Sequence, residues 1–523
     1  MQSLTIGFQN ITTSTEQQSA AAIEALLQKY LRLWALLSPK EWNGFIVFVQ
    51  SPIHKDNRYS AKLIERIKEA LRKGSKALRG DELITKYTSA RTIDGMAIKL
   101  QKLEQAFKTL ITLIRQYMAY VEMADHPLML QQLLVQNLKR RQNNEVFQEA
   151  VEQLDQLLKR EPLSLLIAAD QWWLANQRYY HQYAEQFSDH TLFRKNLEAF
   201  DELYQLGILR NYLEGLNRGL NLTEEDDYDL RAQVKAMWGR GIMSTPVAEL
   251  YQLMIQVLEL GGEKGLELYA QFDQTYVEKN RQLAPIDRFI LTKVRINYLG
   301  QMYYETGEVS WLKQAFEWMQ YACTEELYDL EGTISDDEYL NYAVVAQALG
   351  EGEAYQVFAQ KYQNYLDPSI REQVLGLCNA YLLRDQGKRD AALKELDDFF
   401  PMRSQEELKY NLRAKDLRVM LYYEQMVQED NNDASISALT RSLDNLSKFC
   451  KRLIQNSILK EDAVRPHQRF RKIVQVMDRW HGQTEAAKRQ EALEELEVLM
   501  TVKDVVANRM WLKREIDRIK GLN

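Results

Sequence analysis

Turn residues recur along most of this chain at intervals of about one helical hairpin. Arg218-Gly219, Gly261-Gly262, Gly307, Gly350-Glu351-Gly352, Gly387 and Glu429-Asp430-Asn431-Asn432-Asp433 lie about 37 to 46 residues apart, with amphipathic helical sequence between them. A two-helix unit of that length has an apolar face it cannot bury alone, so successive units must stack and cover one another. The pattern predicts an all-α chain built as an α-solenoid of helical hairpins. Only 9 prolines and 22 glycines interrupt 523 residues, which favours long helices over many short strands.

Helix starts are well marked. Ser38-Pro39-Lys40-Glu41 combines an N-cap serine, proline at the first helical position and a glutamate three residues after the cap. It predicts a helix carrying Trp42, Phe45, Ile46, Phe48 and Val49. Thr223–Asp226, Thr245-Pro246, Ser335–Glu338, Asp367-Pro368 and Ser404–Glu407 read as further starts. Three segments follow from the spacing. Residues 1–126 lack the repeat interval and read as an N-terminal helical cap, whose polar residues 1–18 are expected to form a poorly ordered arm. Residues 127–450 read as the repeat array, and 451–523 as a C-terminal helical segment.

Two stretches carry a specific spacing. In Tyr298-Leu299-Gly300-Gln301-Met302-Tyr303-Tyr304 through Gly307, the Leu-Gly pair, the tyrosine and the turn glycine resemble the tetratricopeptide (TPR) consensus, although Ala315 and Phe316 come about three residues late. In Leu377–Tyr381 followed by Gly387–Leu393 the second helix fits that consensus, and the first overruns it by about two residues. A longer resemblance runs from Leu37-Ser38-Pro39-Lys40-Glu41-Trp42 through Ser51-Pro52 and Asn57, with Phe200–Tyr204, Leu209-Arg210 and Arg509-Met510-Trp511-Leu512 further on. It is similar to an uncharacterised family of bacterial helical proteins; Ile53-His54 stands where that family's opening usually has an aromatic. The resemblance implies a TPR-like helical array and no established activity.

The net charge of −7 conceals a segregation. Residues 1–140 hold 20 Lys+Arg against 12 Asp+Glu, residues 451–523 hold 16 against 11, and the middle is left at −20. Basic ends beside an acidic middle predict salt-sensitive self-association, partners of different sign at each end, or solvated helix faces that have drifted in charge. The three cysteines, Cys323, Cys378 and Cys450, are widely separated and form neither a disulfide framework nor a zinc pattern. They read as small buried hydrophobes. Six scattered histidines offer no metal-ligand spacing, and no phosphate-binding glycine loop or nucleophile elbow occurs. The acidic runs at Glu224–Asp227 and Asp336–Glu338 sit at helix starts, where carboxylates oppose the positive end of the dipole. No leader and no membrane-spanning run is recognised, so a cytoplasmic chain is expected.

Two groups of side chains stand out as candidate binding residues. Trp172 and Trp173 are adjacent on a helix and point about 100° apart, so one is expected in the core and the other at a boundary or a ligand groove. Arg465, Arg469, Arg471 and Lys472 interleave with Phe470 and Trp480, a pattern that can grip phosphates and bases. Phe470, Ile473, Val474 and Met477 form an apolar stripe there, however, which favours a solvated basic face. The preferred reading is a non-enzymatic scaffold or adaptor, needing no cofactor or metal, that holds a segment of a partner protein in a groove built from the first helices of successive units. The alternative is a nucleic-acid-binding or regulatory protein working through its basic ends.

Overall fold

Local capping decides where many helices begin. Thr13, Ser38 and Ser335 each accept a hydrogen bond from the backbone N–H three residues on, and Glu16, Glu41 and Glu338 return the bond to the cap's own N–H. The computed structural model describes residues 4–8, 13–51, 58–73, 77–80, 82–83, 96–141, 144–181, 190–218, 230–240, 245–330, 332–400, 409–429, 432–456, 459, 461–501 and 505–522. Among them are 22 α-helices and one pair of three-residue strands, so the chain is all-α. The expected starts at Thr223–Asp226 and Ser404–Glu407 lie outside the described residues. Two compact units divide at Lys159/Arg160.

In the first unit, α1 (Ser14–Trp34) packs along α4 (Met96–Asp125), with α2 (Pro39–Gln50) and α3 (Arg58–Arg72) beside them. α5 (Pro127–Arg140) pairs with α6 (Asn144–Leu158). The Ser38 start holds, and Phe45 and Val49 of α2 are buried. Trp42 stacks on Trp34 at 5.7 Å, and the rings of Phe45 and Phe48 lie 5.5 and 5.6 Å from Tyr117. The expected disordered arm is corrected. Residues Thr5–Gly7 form β1, paired in parallel with β2 (Ala77–Arg79), and α1 already begins at Ser14. The reason is tertiary: Leu4 is fully buried, Gln28 Nε2 donates to its carbonyl at 2.8 Å, and the Ile6 N–H donates to Glu24 Oε2 at 2.7 Å.

The second unit is a succession of helical hairpins. α7 (Leu165–Tyr179) pairs with α8 (Thr191–Asn217), and α9 (Leu230–Arg240) packs on α8. The following pairs are α10 (Pro246–Leu260) with α11 (Gly262–Lys279), α12 (Pro285–Thr306) with α13 (Val309–Thr324), and α14 (Asp336–Leu349) with α15 (Gly352–Tyr362). Then come α16 (Arg371–Asp385) with α17 (Arg389–Phe399), α18 (Lys409–Gln428) with α19 (Asp433–Gln455), and α20 (Glu461–Gly482) with α21 (Ala486–Thr501). The last helix, α22 (Arg509–Gly521), returns to α20. First helices of successive pairs also touch, as α10 with α12, α14 with α16 and α16 with α18, and α8 packs on α10.

Glycines show how the hairpins close. Gly350 ends α14 at φ 80°, a left-handed conformation that side-chain-bearing residues seldom adopt, and Gly307 and Gly387 make the corresponding turns. Gly376 lets α16 approach α17: a Cβ there would lie 2.3 Å from the ring of Phe399. Cys378 and Cys450 are buried and Cys323 is partly buried; burial pushes all three thiols up to about 12, which makes them poor nucleophiles.

Candidate binding groove

Residues of the second unit separated by one repeat interval come together on a single surface. Tyr304 of α12, Val344 of α14, Arg384 of α16 and Glu424 of α18 are successively 40 residues apart, as are Gln301, Asn341 and Tyr381. All seven line one groove of about 950 Å³. Apolar side chains of α13 and α14, among them Leu312, Met319 and Val345, form its floor. A second cavity of about 610 Å³ shares Ile296, Asn297, Met319 and Asn341 with it and continues toward Glu214 of α8 and Arg218 at that helix's end.

The far wall is α22, held by a polar hub at Glu424. Arg384 donates to Glu424 Oε1 from Nε at 3.0 Å and from Nη2 at 2.6 Å, and Trp511 Nε1 donates to the same oxygen at 2.7 Å. Arg384 is 9% exposed and Glu424 15%, so both charges are largely withdrawn from water and stand by virtue of each other. The Trp511 ring lies 5.5 Å from Tyr423 and 5.8 Å from Phe470, and Leu512 and Ile519 are buried beneath it. At the start of α22, Asn508 donates to Asp416 Oδ2 at 3.2 Å, and His467 Nδ1 lies 2.6 Å from the same oxygen. Arg509 Nη1 donates to the Tyr304 carbonyl at 2.7 Å, which ties α22 to α12 across the groove.

Charge on this wall is uneven. Five arginines (Arg384, Arg389, Arg509, Arg514 and Arg518) face the groove with three carboxylates (Asp385, Glu424 and Glu515). The surplus is positive, although residues 141–450 carry −20. Burial pushes the carboxyl groups of Glu515 and Asp385 above the usual range, and the neighbouring arginines only partly offset it. The site thus combines an apolar floor with a cationic rim, the composition of a pocket that orients a ligand by a few charged contacts.

One titratable group behind the groove predicts a pH effect. His481 lies beside Tyr423, its Nε2 3.1 Å from the hydroxyl, and burial together with Arg518 and Arg489 pushes its pKa down to about 4. The unfolded chain therefore binds this proton at higher pH than the folded one. Stability should fall as pH drops from about 6.5 to about 4, by at most about 3 kcal/mol, and by less to the extent that solvent reaches the ring. Thermal melts of the wild type and His481→Gln across that range check this; the variant should lose less stability on acidification.

The six residues singled out from the sequence lie in two other places. Trp172 and Trp173 sit on α7, and both are partly buried, while their neighbour Leu174 takes the fully buried position. The expectation of one core tryptophan is thus corrected: α7 turns Ala168 and Leu174 inward, and the Trp172 ring packs 5.8 Å from Phe200 of α8. Arg465, Arg469, Arg471 and Lys472 sit on α20, whose stripe Phe470, Ile473, Val474 and Met477 is buried as expected. Arg465 and Lys472 are exposed, but Arg471 is turned inward, Nε donating to the Leu443 carbonyl at 3.2 Å. None of the six lines the groove. The groove residues were missed, although one signal was available: Arg384 and Glu424 are opposite charges at one repeat interval. Trp511 entered only through the family resemblance.

Compared with family models, curated proteins and solved structures, the chain matches none. Among the described residues no cluster of His, Cys, Asp or Glu could hold a metal ion, and no helix is long and apolar enough to cross a membrane.

Proposed function

We propose that this chain is an α-solenoid of degenerate TPR-like hairpins, and that it serves as a non-enzymatic scaffold or adaptor holding a segment of a partner protein in the groove. The observation that carries this reading is the recurrence of groove positions at 40-residue intervals on the first helices of consecutive pairs, from Tyr304 to Glu424. A surface assembled that way is long, continuous and lined by one position of each unit, which suits an extended or helical segment better than a compact metabolite. The apolar floor would take its hydrophobic anchors, and the arginines of α17 and α22 would meet its carboxylates.

The test is an affinity capture from the native host, comparing three forms of the chain. Val345→Glu alters the groove floor, and Val357→Lys alters an outer site on α15 that is 70% exposed. The wild type and Val357→Lys are expected to retain the same partner, with Val345→Glu losing it by tenfold or more, as a buried charge in a binding core would cause. Equal capture by all three forms would remove the groove from the function.

A further inference from the structure

The long helix α8 is used unevenly. All its buried residues lie between Gln205 and Gly215, where they join the core with α10 and α12. The half from Thr191 to Tyr204 buries none, yet it is not polar. Phe193, Leu197, Phe200 and Tyr204 are 44%, 49%, 49% and 39% exposed and follow one another at spacings of four, three and four residues. That spacing is the a/d seam of a two-helix coiled coil. Trp172 and Tyr179 of α7 broaden it, their rings 5.8 Å from Phe200 and 5.5 Å from Phe193. A contiguous aromatic surface of this kind is costly to leave in water and marks an association site.

The charges beside the seam say what covers it. Arg194 and Asp201 follow Phe193 and Phe200, so both stand on the same flank, two turns apart. Within the chain Arg194 reaches Glu198 at 3.5 Å with both side chains well exposed, and Asp201 accepts from Gln205 Nε2 at 2.7 Å. In an antiparallel pair of helices like flanks face one another. A second α8 running antiparallel about the midpoint between Leu197 and Phe200 therefore sets each Arg194 against the other copy's Asp201, and each Leu197 against the other copy's Phe200. A parallel pair would instead oppose unlike flanks, setting Asp201 beside the other copy's Asn196, and would match no charges. The arrangement is self-complementary about a two-fold axis, as an isologous interface requires.

We propose that the chain forms a two-fold symmetric homodimer through the N-terminal half of α8. The interface is independent of the groove. It also differs in kind from an electrostatic attachment of basic ends to an acidic middle, because its centre is apolar.

Sedimentation velocity of the full chain across the micromolar range tests it. The wild type should pass from monomer to dimer with concentration and keep the dimer at high salt. Leu197→Glu should stay monomeric throughout, with wild-type circular dichroism and melting temperature because that side chain is exposed. Arg194→Asp and Asp201→Arg should each weaken the dimer roughly tenfold, since each reverses two symmetric pairs, and the combined exchange should restore it. A wild type that is monomeric at every concentration overturns the proposal, as do a dimer that dissolves with salt, a dimer that survives Leu197→Glu, and a combined exchange no tighter than its components.

Discussion

Replacing Arg384 with methionine should destabilise the protein by about 3–5 kcal/mol, more than any surface change on the same helices. Arg384 meets Glu424 through two donors at 2.6 and 3.0 Å, and the carboxylate is only 15% exposed. Without the guanidinium, Glu424 keeps the Trp511 indole at 2.7 Å and the more distant Arg389 and Arg514 at 3.9 and 3.8 Å, which is too little for a buried charge. Arg384→Met with Glu424→Met removes both charges together, so part of the loss should return, leaving roughly the cost of the hydrogen bond from Trp511 to a carboxylate, about 1.5–3 kcal/mol. Urea denaturation followed by circular dichroism on the four members of this cycle measures the coupling directly. A single variant as stable as the wild type would show that the hub contributes nothing net. Because Trp511 seats α22 as the far wall, the single variant should also weaken partner capture by the groove.

Phe45→Ala should cost about 3–5 kcal/mol in the first unit. The ring is fully buried, lies 6.1 Å from Trp34 and 5.5 Å from Tyr117, and sits on a helix of only 12 residues with few other anchors. Truncation leaves a cavity between α1, α2 and α4 that neighbouring rings, held in their own contacts, cannot fill. Phe48→Ala should cost clearly less, because Phe48 is only partly buried against the same core. Reading the helix from its sequence gives the two phenylalanines equal weight; their unequal burial separates them. Thermal melts of both variants check the ranking, and equal losses would show that the core relaxes around Phe45.

Much of the helical architecture is legible from local sequence. Capping boxes at Ser38 and Ser335, turn glycines at 307, 350 and 387, and the apolar stripe of α20 each act within about one turn of the chain, and each appears where its residues predict. The interval between turns likewise anticipates a succession of hairpins, because the helix lengths that connect two turns are a local property. The strand at Thr5–Gly7 was hidden by the same logic. It is only three residues long, and what orders it is a parallel partner at Ala77–Arg79 together with Glu24 and Gln28 of α1.

What the sequence by itself determined, then, is where the capped helices start, where the turn glycines end them, and the stripe that α20 must hide. The tertiary structure alone decided which helix positions line a common groove, that Trp172 and Trp173 are both only partly buried, and that α22 closes the groove's far side. The physical reason is range. A cap or an amphipathic stripe is specified by residues within a turn or two, whereas Glu424 finds Trp511 across 87 residues, Asp416 finds Asn508 across 92 and Tyr304 finds Arg509 across 205. Such pairings leave no periodic trace, because an arginine on a wet helix face has the same local sequence whether it meets water or a distant carbonyl. They follow from the path of the packed helices, which apolar burial sets first.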